Sequence, residues 1–166
     1  MPLPEIPLEE SNFGNILVAT KQAVTTLALP GIAADNIVIS KLGWIDVTTD
    51  AFPRIIIEPR TEIKNADDGT NERDDTVYSV MISLLFAGGL DDGELNMGLA
   101  LYWRQKVWRT FINKKPDTFS TLTLESGSNL LRVWVEPGDV YIEPAKRQQL
   151  DGQYVLGRFL VREPRT

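Results

Sequence analysis

The sequence predicts an α+β fold: a mainly antiparallel β-sheet with two main α-helices packed on one face, plus a long polar loop between strands. Three observations predict it. Two segments, 12–29 and 94–112, carry apolar residues at helical spacing. Shorter segments between and after them are β-branched or alternate in polarity. The order is helix, strands, long loop, strand, helix, strands, which favours antiparallel pairing with helices on one side. The 166 residues suit a single domain spanning 1–166, with 1–11 an extended arm and 163–166 a short tail.

The arm is extended because Pro2, Pro4 and Pro7 each fix φ and remove a donor. It has no basic n-region and no long apolar stretch, so it does not read as a signal peptide. In the first helix, Phe13, Ile16, Leu17, Val24 and Leu27 share one stripe, with Thr20 and Ala23 beside them. Lys21, Gln22, Thr25 and Thr26 face away. Ser11 or Asn12 caps the start, and Pro30-Gly31 ends the segment.

Strand signals follow. Segment 36–42 is short and β-branched, 44–47 is a short strand or extended link, and 53–58 carries Ile55, Ile56 and Ile57. Segment 76–86 is the strongest: Tyr78, Val80, Ile82, Leu84 and Phe86 form one wholly apolar face. Val77, Ser79, Met81, Ser83 and Leu85 form a mixed opposite face. Between these strands, 64–75 is rich in Asn, Asp and Gly and reads as the long acidic loop, mobile in the isolated protein.

Gly88-Gly89 breaks the strand, and Asp91 or Asp92 caps the second helix. There Leu95, Leu99, Trp103, Val107 and Phe111 line one side, while Met97, Leu101, Trp108 and Ile112 line another. Only a narrow sector around Gly98, Gln105 and Arg109 is polar. A helix apolar nearly all round is normally buried on both sides, and here the second side points to another subunit. Lys114-Lys115-Pro116 ends it. A short strand at 119–124, a turn at 126–129 and a strand at 130–136 come next. In that strand Leu131, Val133 and Val135 face one way, and Arg132, Trp134 and Glu136 the other. A turn at 137–139, an extension at 140–142 and a last strand at 153–162 complete the sheet.

Composition removes several classes of function. With no cysteine there is no disulfide, thiolate metal site or thiol nucleophile. With no histidine there is no imidazole ligand and no Ser-His-Asp triad. A net charge of −6 argues against broad nucleic-acid binding. No apolar run reaches the ~20 residues of a membrane span. Asp67-Asp68, Asp74-Asp75 and Asp91-Asp92 are oxygen donors suited to Ca²⁺ or Mg²⁺, but their spacing matches no calcium loop. A solvated loop and a helix N-terminus explain them more simply. No Ser-x-x-Lys and no glycine-rich phosphate loop occurs. No catalytic residue, cofactor site or metal site is expected. Arg104, Lys106, Arg109, Lys114 and Lys115 form a basic cluster suited to phosphates or an acidic partner, although cations near a helix C-terminus are favourable in themselves.

The expected site is therefore an interface. Met81, Arg132 and Trp134 lie on the mixed sheet face, and Met97, Leu101 and Trp108 on the second side of the helix. Asn65, Asp67, Asp68, Gly69, Asn71 and Arg73 lie on the polar loop, which would order on contact.

Five segments carry a family resemblance. They are Leu29-Pro30-Gly31-Ile32, Pro53-Arg54-Ile55-Ile56-Ile57 and Tyr78-Ser79-Val80-Met81-Ile82 after the polar loop. Leu101-Tyr102-Trp103-Arg104-Gln105-Lys106-Val107-Trp108 and Tyr154-Val155-Leu156-Gly157-Arg158-Phe159-Leu160-Val161-Arg162 follow. In pattern and order, over 12–162, the chain resembles the tail terminator, or tail completion, proteins of long-tailed bacteriophages, including lambda-type minor tail proteins. The resemblance implies a structural virion protein of tail and neck, assembled in the host cytoplasm. It implies a ring, usually a hexamer, that caps the head-proximal end of the tail tube. The implied partners are other copies of the chain, the tail tube protein and head–tail connector or stopper proteins. Genomic DNA would pass the lumen without specific binding. It also implies no enzymatic activity, no cofactor and no membrane. The competing readings are a head–tail connector, stopper or other neck or minor tail component, a tube subunit that polymerises openly, and a monomeric acidic-loop metal-binding module or small hydrolase.

Overall fold

The computed structural model describes residues 4–41, 50–70, 72–87, 93–112, 119, 121–136 and 150–165, with backbone alone at 65–70, 87, 93–97 and 150–151. The expected features at 44–47, 91–92, 114–116 and 137–142 lie outside the described residues. Helix α1 spans Asn12–Thr26 and helix α2 spans Gly93–Phe111. The strands are β1 (Ile37–Ile39), β2 (Arg54–Thr70), β3 (Arg73–Ala87), β4 (Asn129–Glu136) and β5 (Leu150–Pro164). They form one sheet in the order β1-β2-β3-β5-β4. Only the β1–β2 pairing is parallel; β2–β3, β3–β5 and β4–β5 are antiparallel. The predicted α+β architecture is therefore the observed one.

Helix α1 begins where the Ser11 hydroxyl accepts the Gly14 amide at 3.1 Å. Ile16, Leu17, Thr20 and Val24 are buried along the expected stripe, and Phe13, Ala23 and Leu27 pack beside the core. Thr20 donates back to the Ile16 carbonyl at 2.7 Å, so its hydroxyl is satisfied inside the core. The helix stops earlier than the sequence suggests. Ala28 takes a φ of +46° just past Thr26, and the chain turns so that Leu29 still reaches the core.

Strand β3 is the centre of the sheet, paired on both edges. Its helix side, Tyr78, Val80, Ile82, Leu84 and Phe86, is buried throughout. Both helices close over this side. From α2 come Ala100, Trp103, Val107 and Phe111, all buried. Trp103 stacks on Phe86 with ring centres 4.9 Å apart and donates its indole N–H to the Pro30 carbonyl at 3.0 Å. Phe111, Phe119 and Phe159 form an aromatic triangle with centres 5.1–6.0 Å apart. Gly157 makes room for it: a Cβ there would stand 3.3 Å from the Phe111 ring.

The opposite side of the sheet differs from expectation. Met81, Ile56 and Leu85 form a second buried cluster, covered in part by Val38, Phe52, Tyr154 and Leu156. Met81 is only 5% exposed, so it belongs to the interior and not to an interface. The polar residues of this face on β3, Ser79 and Ser83, are buried with it, while Arg132 on β4 is exposed.

Three more expectations are corrected. Segment 64–75 is not a loop: β2 and β3 continue through it as a hairpin, with Lys64 opposite Thr76, Asn65 opposite Asp75 and Thr70 opposite Arg73. The cause is a third strand. β5 runs to Pro164 and pairs Asp75 with Arg162 and Arg73 with Pro164, giving the polar segment a ladder on its other edge. Segment 119–124 is not a strand among its described residues, because Phe119 turns into the aromatic triangle and its carbonyl accepts the Leu122 amide at 2.8 Å. In β4 the register shifts between Leu130 and Arg132. Leu130 packs against the core while Leu131 is 41% exposed, the reverse of simple alternation.

The inward and outward faces of α2 make a direct comparison. Trp103→Ala removes a fully buried ring and is expected to destabilise by about 3–5 kcal/mol. Trp108→Ala, on the outer face, is expected to cost about 1 kcal/mol or less. Urea denaturation of both variants checks this, and equal costs would mean that the outer face is also core.

Candidate functional site

The most concentrated polar chemistry in the fold is closed. Glu163 accepts from the Tyr78 hydroxyl at 2.5 Å and from Asn12 Nδ2 at 2.7 Å on one oxygen, and from Thr76 at 2.8 Å on the other. Asn12 Nδ2 also reaches Ser128 Oγ at 3.2 Å, and its Oδ1 accepts the Glu125 amide at 2.8 Å. Asn12, Thr76, Tyr78 and Glu163 are all buried. Burial first, and then the Glu163 carboxylate, raise the Tyr78 hydroxyl above its usual range, so it stays a donor. This cluster ties α1, β3, β5 and the turn before β4 together. Its donors and acceptors are spent on each other, which is the pattern of a structural tie and not of a reactive site. Glu163, expected in a short tail, is the second-last residue of β5.

Ion pairs flank this tie, with Asp75 and Arg162 on the opposite side of the sheet from Thr76 and Glu163. Arg162 donates to both oxygens of Asp75, from Nε at 2.7 Å and from an Nη at 2.9 Å. Arg165 binds Asp74 from Nε at 2.9 Å, and Arg158 binds Glu136 from Nε at 2.7 Å. Arg73 donates to the Gly127 carbonyl at 3.3 Å. Asp74 and Asp75, at the end of the expected flexible loop, are thus engaged within the chain. The signal for this was partly legible: Arg158 and Arg162 fall on one face of a strand of period two. Their partners, 22 and 87 residues away, were not.

Among the described residues, two surfaces that group aromatic and cationic side chains are open to partners. The first is the outer face of α2, where Leu101, Tyr102 and Ile112 are 50, 44 and 41% exposed. With Trp108, Arg104 and Arg109 they line a shallow groove of about 610 Å³. Arg104 lies 4.6 Å over the Trp108 ring and the Lys106 ammonium 5.3 Å over Tyr102, contacts worth about 0.5–1 kcal/mol each at such sites. Residues 98–112 carry these cations and no acid, in a chain of net charge −6. The second surface is on the far sheet face, where exposed Arg132 lies 5.4 Å over half-buried Trp134.

Of the interface residues expected from sequence, the structure brings Leu101 and Trp108 together in the α2 groove, and Arg132 and Trp134 on the sheet. Arg73 belongs to the hairpin tie and Met81 to the interior. Asn65, Asp67, Asp68 and Gly69 lie on the last part of β2, and Met97 lies in α2; only their backbone is described. Asn71 lies outside the described residues. Among the described residues no helix is long and apolar enough to cross a membrane. No protein-family model matches this chain, and no curated protein sequence matches it either.

The Asp75–Arg162 pair gives a pH dependence with a definite sign. Its hydrogen bonds to Arg162 hold the Asp75 carboxyl below its ordinary value of 3.8, against the opposing effect of burial. A lowered folded value contributes stability that is present above the unfolded value and is lost as pH falls through the folded one. Stability measured in urea from about pH 5 to about pH 2 is therefore expected to fall more steeply in the parent than in Asp75→Asn. Parallel curves would show that the pair contributes nothing.

Proposed function

We propose that this protein is a structural, non-enzymatic ring protein that caps the head-proximal end of a phage tail tube. The ring ends tube polymerisation and offers its other side to the head–tail connector or stopper. It acts in the virion, at tail and neck, and DNA passes its lumen without specific binding.

The observation that carries this reading is the outer face of α2. The chain fills its own core on the helix side and covers much of its far sheet face. It still leaves Leu101, Tyr102 and Ile112 in water on a basic helix. Contiguous exposed apolar surface of this kind marks a protein contact. A ring provides one, because a head-to-tail interface closes by rotation. The resemblance to tail terminators supplies the kind of assembly, and the acidic net charge suits a lumen that must release DNA.

The test is to mix purified protein with polymerising tail-tube protein and image the product by electron microscopy. Tubes of limited length with a discrete cap at one end are expected. Bare tubes of unlimited length would overturn the terminator reading in favour of a connector or an unrelated binding domain. Filaments formed by this protein alone would identify an open tube subunit.

A further inference from the structure

We propose that the N-terminal arm of one copy of this chain docks in the α2 groove of a second copy. Two complementary surfaces carry the inference. Residues 4–10 read Pro4-Glu5-Ile6-Pro7-Leu8-Glu9-Glu10, with three carboxylates, two large apolar side chains and no cation. Ile6 is 70% exposed and Leu8 46%. Apolar side chains on a loose tail would need no explanation. This arm, however, is gripped by the first turn of α1. The Leu8 carbonyl sits where a Cβ of residue 14 would be, 1.7 Å away, so only Gly14 allows the approach. Asn15 Nδ2 donates to the Glu9 carbonyl at 3.0 Å, and the Ser11 and Glu10 amides donate to the Leu8 and Pro7 carbonyls at 3.3 and 3.2 Å. Pro4 and Pro7 restrict the rest. The chain spends a glycine, an asparagine and two prolines on holding Ile6 and Leu8 in water. A segment fixed in this way loses little entropy on docking.

The receiving groove matches it in charge, polarity and length. Its apolar floor is Leu101, Tyr102, Trp108 and Ile112, flanked by Arg104 and Arg109. Arg104 Nε finds no acceptor among the described residues, while stacking holds the guanidinium in place. Glu5, Glu9 and Glu10 supply carboxylates to a helix face that has cations and no acid. From Leu101 to Ile112 the helix rises about 16 Å. The arm is not extended throughout as the sequence suggests, because Leu8–Glu10 form a 3-10 turn; residues 4–7 and that turn together reach about 19 Å, enough to span the groove. The occupant is a second copy because every copy carries the arm, held at the start of its own α1. Arm and groove are different patches, so the contact is head-to-tail and repeats from copy to copy. It deepens the ring reading and rests on it for closure.

The absence of cysteine makes the test clean. Full-length Leu8→Cys protein is mixed with full-length Leu101→Cys protein under mild oxidation. The docked arm raises the local thiol concentration, so the mixed disulfide is expected about tenfold faster than with exposed Gln22→Cys as the partner. Arg104→Glu with Arg109→Glu in the groove chain, or Glu9→Lys with Glu10→Lys in the arm chain, is expected to remove that excess. Combining the two reversals is expected to restore it, which also shows that the variants are folded. Equal rates for both cysteine partners, or rates indifferent to the reversals, would overturn the proposal. Tubes capped by chains that show no such excess would remove this contact and leave the terminator reading standing. Cross-linking without capping would support the contact and overturn the terminator reading.

Discussion

The Glu163 carboxylate receives hydrogen bonds from Asn12 at the start of α1 and from Thr76 and Tyr78 on the central strand. Asn12 in turn holds the turn that leads into β4, through Ser128 and the Glu125 amide. Each of these groups is buried or partly so, and a buried polar group without a partner costs about 1–3 kcal/mol. The cluster therefore fixes more than a single contact. It sets where α1 begins relative to the sheet and how far β5 must run. β5 must reach Glu163, and in doing so it lies beside 73–75 and turns that acidic segment into a paired hairpin. The ion pairs of Asp74 and Asp75 with Arg165 and Arg162 follow from the same register.

Much of the fold was legible because two periodicities are strong. Val80, Ile82, Leu84 and Phe86 form an unbroken apolar row on the helix side, and a buried row of this kind makes the register of a strand nearly compulsory. Trp103, Val107 and Phe111 step by four on α2, and all are fully buried. What escaped the sequence depends on partners remote in the chain. Segment 64–75 has the composition of a turn, and its Asp75 sits in a ladder on both edges, opposite Asn65 and opposite Arg162, a partner 87 residues further on. The β4 shift moves Leu131 outward although its local alternation points inward, because one residue of slip reverses the face of all that precedes it. Phe119 to Leu124 has strand composition, but the aromatic triangle competes for Phe119 and wins.

The candidate site was legible in part for the same reason. A helix too apolar for one buried face is a sequence-level observation, and it led to Leu101 and Trp108, which the structure places in one groove. Met81 carried the same kind of signal and proved to be interior, since local polarity cannot say which part of a sheet face the chain covers for itself. The grip of Gly14 and Asn15 on the arm is a matter of close approach and left no sequence pattern to read. With the core closed on the helix side, the open apolar surface of the helical layer is concentrated on the outer face of α2. A cationic, aromatic-rich helix face on an acidic protein is well placed to select an acidic, apolar partner and to repel less suitable ones.

The most direct measurement is amide hydrogen exchange on the full chain at low and high protein concentration, since exchange reports local opening segment by segment. The account predicts slow exchange in β3 at both concentrations, because the interior is complete in one chain. It predicts that protection of 98–112 and of the arm, 4–10, rises together as concentration rises. Fast exchange in β3 at low concentration, or protection that leaves α2 and the arm unchanged, would contradict it.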